Sequence, residues 1–127
     1  MAVENCLLAR TLTASGNGLS ADTDQFIFVG PGATEKQVVP MNVGATDVHL
    51  GITQGTAKTG EGISVGMVGV SKLRLGGTVS HGNLLRSDVN GQGVAWLGLG
   101  PHGAMALEDG VSGEVIEALI VIGRPTA

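Results

Sequence analysis

The chain has 127 residues, 22 of them glycine, with 43% hydrophobic residues, 14% charged residues and a formal net charge of −4. This length holds one domain with a core of its own, and the apolar fraction excludes a disordered chain. Glycine at more than twice its usual share of about 7%, with no three-residue period, excludes collagen and predicts many turns or bulges.

Seven scattered Lys and Arg, two Phe, one Trp and no Tyr provide neither a basic face nor a stacking platform, which excludes a nucleic-acid binder. So few charges also imply that part of the apolar surface is covered by partners.

The opening "MAVENCLLAR" places Glu4 where a secretory signal is positively charged, and its apolar run is short, so no signal peptide is expected. No window approaches the roughly 18 apolar residues of a membrane span. A soluble protein maturing in a reducing cytoplasm is the expectation. Cys6 is the single cysteine, which excludes an internal disulfide. It reads as a small hydrophobe, because no basic residue or helix start stands beside it to activate a thiol. Residues 1–14 read as an N-terminal arm or edge strand, and 15–127 as a single β domain.

Short apolar segments then recur: "QFIFVG", "QVVPMN", "DVHLGITQ", "GISVGMVGVSKLRL", "GNLLRSDV", "GVAWLGL", "AMALE" and "EVIEALIVIG". Most are too short for helices and rich in Val and Ile, which predicts strands. Glycine-rich turn chemistry separates them, as in "GPGATE", "LGGT", "SHGN" and "EDGVSG". The pattern predicts an all-β, glycine-rich β-barrel or β-sandwich with short strands and many tight turns.

Along this order, "GPGATEKQ" (30–37) is a near-match to a phosphate loop, but Glu35 replaces the second glycine and Gln37 the Ser/Thr. A carboxylate there repels phosphate, so a solvated turn is expected. "GISVG" (62–66) fits G-x-S-x-G with Ser64 at its centre. A nucleophile elbow needs a helix after the serine. Here Ile63, Val65 and Met67 alternate, Val68 and Val70 continue on the other parity, and Leu73 and Leu75 switch back. That is a strand, with Gly66 and Gly69 where a β-bulge falls, and no catalytic serine is expected.

Lys72 invites comparison with biotinyl and lipoyl carrier domains, whose lysine stands at a hairpin tip. Lys72 and Arg74 alternate with Leu73 and Leu75, so the outward face of a strand is expected instead. Asn90-Gly91 suits the φ > 0 positions of a tight turn joining strands at 84–89 and 94–99. Asp88 before it is ordinary turn chemistry. His49, His81 and His102 show no metal-ligand spacing, and the carboxylates lie mostly in turns, so neither a metal site nor a cofactor is expected. The C-terminal "GEVIEALIVIG" also fits a helical face, but its β-branched density and the following Gly123-Arg124-Pro125 favour a buried strand.

Two stretches carry a family likeness. The opening "MAVENCLLARTLTASGNGLSADTDQFIFV" and the run "GITQGTAKTGEGISVGMVGVSKLRLGGTVSHGNLLRSDVNGQGVAW" resemble phage and prophage capsid cement proteins, also called head decoration proteins. The correspondence runs through Gly51 to Gly60, then Gly69-Val70-Ser71-Lys72 with Gly76 and Gly77. It continues at Gly82, Leu85, Ser87, Asp88 and Gly91, and "ALEDGVSGEVIEALIVIGRP" resembles the family's last hairpin.

The resemblance implies a non-enzymatic virion protein that sits as a homotrimer on the outside of an icosahedral head. There it would clamp the expanded lattice of the major capsid protein after assembly in the bacterial cytoplasm. Neither a nucleic-acid nor a membrane partner is implied. Gly66, Gly69, Gly76, Gly77, Gly82, Asn90 and Gly91 are the expected turn and structural positions. Val3, Leu7 and Leu8 are candidate subunit or capsid contacts, in a segment suited to adding a strand to a neighbour. A tail or fibre β-module that binds a receptor is the alternative, with a carrier domain behind it.

Overall fold

In the computed structural model, residues 5–14, 25–31, 35–40, 49–58, 60–88, 90–98 and 101–123 are described. They contain strands and turns and no helix. The strands are β1 (Asn5–Ala14), β2 (Phe28–Pro31), β3 (Gln37–Pro40), β4 (Gly51–Thr53), β5 (Gly62–Arg74), β6 (Leu84–Ser87), β7 (Gly93–Ala95), β8 (His102–Ala106) and β9 (Val115–Gly123). Their order is β1-β3-β2-β4-β5-β9-β8-β6-β7, and β1 also pairs antiparallel with β5.

That last pairing closes β1, β3, β2, β4 and β5 into a five-stranded barrel, which decides barrel over sandwich. The remaining strands curl back on β5 through a parallel bridge between Leu75 and Gly93. β5 is therefore shared by both halves.

Sequence alternation explains how one strand serves two cores. Early in β5, Ile63 and Val65 point inward to a cluster with Leu12, Ile27, Val29 and Val38. Beyond the irregular middle, Leu73 and the following Leu75 enter a second cluster with Leu85, Ala104, Ile116 and Ala118. β2 divides the two by the period-2 rule. Ile27 and Val29 face the first cluster while Phe28, fully buried, faces the second. Val115–Gly123 is a strand, antiparallel to both β5 and β8, as its β-branched density predicts.

The β1–β5 register is irregular at the glycines. Cys6 pairs with Gly69, Leu8 with Val68 and Ala9 with Gly66, so each strand carries one extra residue in turn. Gly69 has φ +107°, a conformation that L side chains rarely adopt. β1 is bonded to β5 along most of its length and to β3 at Thr13 and Ala14.

The β6–β7 hairpin forms, with a longer loop than the expected tight turn. Ser87 pairs with Gly93, leaving residues 88–92 as the connection. Gly91 has φ +84°. The cause of the longer loop is Asp88. Its Oδ1 accepts the amides of Asn90 (2.8 Å) and Gln92 (3.0 Å), so the carboxylate organises the loop that a two-residue turn would otherwise make. The Gly91 carbonyl then accepts the Phe28 amide at 2.7 Å, tying the loop to β2.

Candidate functional site

Of three features that suggest chemistry, two resolve into strand positions and one into a turn. Ser64 is exposed near the start of β5, opposite Thr11, and the strand runs on to Arg74 with no helix after the serine. Lys72 also lies within β5, opposite Glu117, with its Nζ 5.3 Å from the Phe26 ring centroid. It is not at the hairpin tip a carrier lysine needs. Lys36 adopts φ 60° in the turn before β3, where the phosphate-loop likeness fell. Among the described residues no group of three or more His, Cys, Asp or Glu is placed to hold a metal ion.

The histidines take three different roles. His81 and Asp109 are exposed and paired at 2.8 Å, and the His81 amide donates to the same carboxylate oxygen. Those bonds hold the Asp109 carboxyl below its usual range. His102 stacks edge-on against Trp96, with centroids 5.3 Å apart, and its Nδ1 lies 2.9 Å from the Val121 carbonyl.

His49 is the unusual one, at 3% exposure. Its Nε2 accepts the Ser87 amide at 3.0 Å, which places the neutral ring's proton on Nδ1. Nδ1 is buried with no partner among the described residues, as is Nε of Arg86. The ring meets Phe28 edge-on at 4.6 Å. Burial, then the nearby His102 and Arg86, lowers the His49 pKa from 6.5 to about 4. Gly103 makes room for this stack, since a β-carbon there would stand 2.7 Å from His49 Cδ2. The sequence gives no sign of this, because burial of residue 49 follows from the docking of distant strands.

The expected structural glycines fall as follows. Gly66 lies opposite Ala9 and Ile52 on β5, and Gly69 lies in the bulge described above. A side chain at Gly76 would run into the Asp88 carboxylate, whereas one at Gly77 would meet Val94 at an ordinary 3.5 Å. Gly82 sits in an exposed turn with nothing within 4 Å. Of the candidate contacts, Val3 lies outside the described residues. Leu7 and Leu8 lie on β1 at its register shift with β5.

With chemistry of this kind absent from those positions, the informative surface is apolar. Leu97 is 76% exposed after β7, Leu107 and Val111 are exposed in the turn between β8 and β9, and Val68, Leu119 and Ile122 are exposed on strands. Exposed apolar side chains of this kind are candidate contact positions for another protein surface.

The class these features define is an all-β protein built on a closed barrel with further strands of the same sheet curled beside it. The chain is similar to a solved structure described as "head fiber gp8.5 N base in bacteriophage phi29". The TM-score is 0.62 at 12% identity, covering 94% of this chain and 98% of that one. At that identity the likeness establishes the fold. No family model and no curated protein matches the chain.

Proposed function

We propose that this protein is a structural, non-enzymatic component of a phage particle. It binds the outside of an icosahedral head as a homotrimer and braces the expanded lattice of major capsid protein. The observation that carries this is the fold. Nearly the whole chain superposes on nearly the whole of a domain described as the base of a phage head fibre. The family likeness in the glycine spacing points the same way, and so does a surface with few charges and exposed Leu, Val and Ile.

The mechanism is multivalent. A contact too weak to hold one subunit becomes strong when a rigid trimer presents three copies to a lattice that repeats with matching spacing. Two fused cores on a shared strand suit a brace, because load on the barrel passes along β5 to the second core. Neither nucleic acid nor membrane enters this role, and the protein acts on the virion exterior after assembly in the bacterial cytoplasm.

The same neighbour favours a second reading, that the domain is the base module of a head fibre. Co-sedimentation with heads from the source phage, before and after expansion, tests both. Saturable binding to expanded heads alone, with one trimer at each local three-fold, is the outcome expected of a brace. Saturation at far fewer sites supports the fibre base. No binding to either form overturns both.

A further inference from the structure

The outward face of the β5–β9–β8–β6 part of the sheet is apolar at its centre. Leu119 on β9 is 37% exposed, and its cross-strand partners are Val70 on β5 and Met105 on β8. Met105 in turn pairs with Leu84 on β6. These four side chains form one row across four neighbouring strands, with Val70, Met105 and Leu84 half-buried. An antiparallel sheet with one wet face alternates apolar-in with polar-out. The other half of β5 obeys that rule, presenting Ser64 opposite Thr11. The apolar row is thus a local departure and not a property of the whole barrel.

Charge indicates what covers it. By strand alternation the same face carries Lys72 and Arg74 on β5 and Arg86 on β6, with Glu117 on β9, whose amide donates to the Glu108 carboxylate at 2.8 Å. Three of the chain's seven Lys and Arg therefore border this row, in a protein of net charge −4. The complementary surface is on the same chain. The turn at 107–114 exposes Leu107 and Val111, the latter 51% exposed, together with Glu108, Asp109 and Glu114.

That turn is also held in shape. Val79 and Gly110 exchange amide–carbonyl bonds of 2.9 and 3.1 Å, Asp109 accepts from His81, and Glu114 accepts the Val111 amide at 2.8 Å. A fixed turn loses little freedom on docking.

We infer that the β5–β9–β8–β6 face binds the 107–114 turn of a second copy of this chain. Apolar meets apolar at the centre, and a basic border meets an acidic one. Two different patches meet in such a contact; made once per pair of copies it is head-to-tail and closes into a ring when the rotation permits, the arrangement a homotrimer requires. The residues involved are well short of the roughly 20–30 per side of a standard interface. An isolated pair is accordingly weak, with a Kd on the order of 10–100 μM. The contact deepens the proposed role by naming how copies touch, and it rests on that role for its purpose only.

Sedimentation equilibrium of the full chain from about 10 μM to about 1 mM reads it directly. The expected result is a concentration-dependent mass that falls as salt screens the opposed charges. Leu119→Lys, on the face, and Val111→Lys, on the turn, should each weaken association by about tenfold or more, the scale of removing one central anchor. Ser64→Lys, on the wet face of the other half of β5, should leave it unchanged, and circular dichroism checks that each variant is folded.

A monomer over the whole range overturns the contact. So does association that Ser64→Lys weakens as much as the other two, or that neither Leu119→Lys nor Val111→Lys weakens. A protein that stays monomeric and still binds heads overturns this contact and the trimeric state, and leaves head binding standing. One that self-associates as described and fails to bind heads overturns the head-bracing role alone.

Discussion

Acidification should destabilise the fold through His49 before the carboxylates contribute. In the folded protein the His49 pKa is lowered from 6.5 to about 4, because the buried ring cannot be charged cheaply. The unfolded chain therefore binds a proton that the folded one refuses over this range. Its contribution is fully present above pH 6.5 and is lost as pH falls toward 4. At about 1.36 kcal/mol per pH unit, the whole window corresponds to roughly 3 kcal/mol, of which roughly 2 is gone by pH 5.

That is a large fraction of the 5–15 kcal/mol typical of a small domain. Protonation also places a hydrogen on Nε2, where the Ser87 amide now donates at 3.0 Å, so the link between residue 49 and β6 breaks. Asp109, held below its usual range by His81, acts only in more acid solution and so leaves this window clear.

Urea unfolding at pH 7, 6, 5 and 4.5 measures the slope. His49→Gln keeps an acceptor for the Ser87 amide and removes the titration, so its stability should be nearly flat from pH 7 to 5. An NMR titration of the His49 ring in the unaltered protein gives a second reading that needs no variant. A midpoint near 6.5, or equal losses in both proteins, would refute the reasoning.

Other perturbations separate individual terms. Gly91→Val should lower stability by about 2 kcal/mol or more, seen as a fall of several degrees in Tm, because φ is +84° and a β-carbon would stand 2.9 Å from the Phe28 carbonyl oxygen. An unchanged Tm would refute the loop geometry. Gly82→Ala has the same kind of φ, +88°, but open space around it, so only the strain of about 1–2 kcal/mol should appear. Phe28→Ala empties the side chain that β2 drives into the second core and should cost about 3–5 kcal/mol by denaturant unfolding. Ser64→Ala, at an exposed strand position, should change stability by less than about 0.5 kcal/mol and leave head binding intact.

Legibility in the sequence followed the range of the interaction. The parity of Ile63, Val65, Leu73 and Leu75 told which way each side chain points, since alternation depends on neighbours two residues apart. The irregularity at Gly66 and Gly69 was legible for the same reason. The hairpin at Asn90-Gly91 was legible as a hairpin, while its loop length was not, because Asp88 reaches forward with its side chain to reshape the turn. Phe26 gave no warning that it would adopt φ 63°. Its carbonyl accepts the Arg74 amide, and its amide donates to Thr53, in strands dozens of residues away.

By itself, then, the sequence determined the strand content, the turn-rich class, the inward parity of β5 and the absence of an elbow around Ser64. Those are local properties of a chain whose glycines and β-branched residues leave few alternatives. Only the tertiary structure decided that β1 closes a barrel on β5, and that β5 and β2 each serve two cores. It also decided that His49 is buried beside Phe28, and that Leu119, Met105 and Leu84 align on one outer face. The physical reason is register: pairing between strands far apart in the chain is set by the total burial of both cores, and no window of sequence contains that sum.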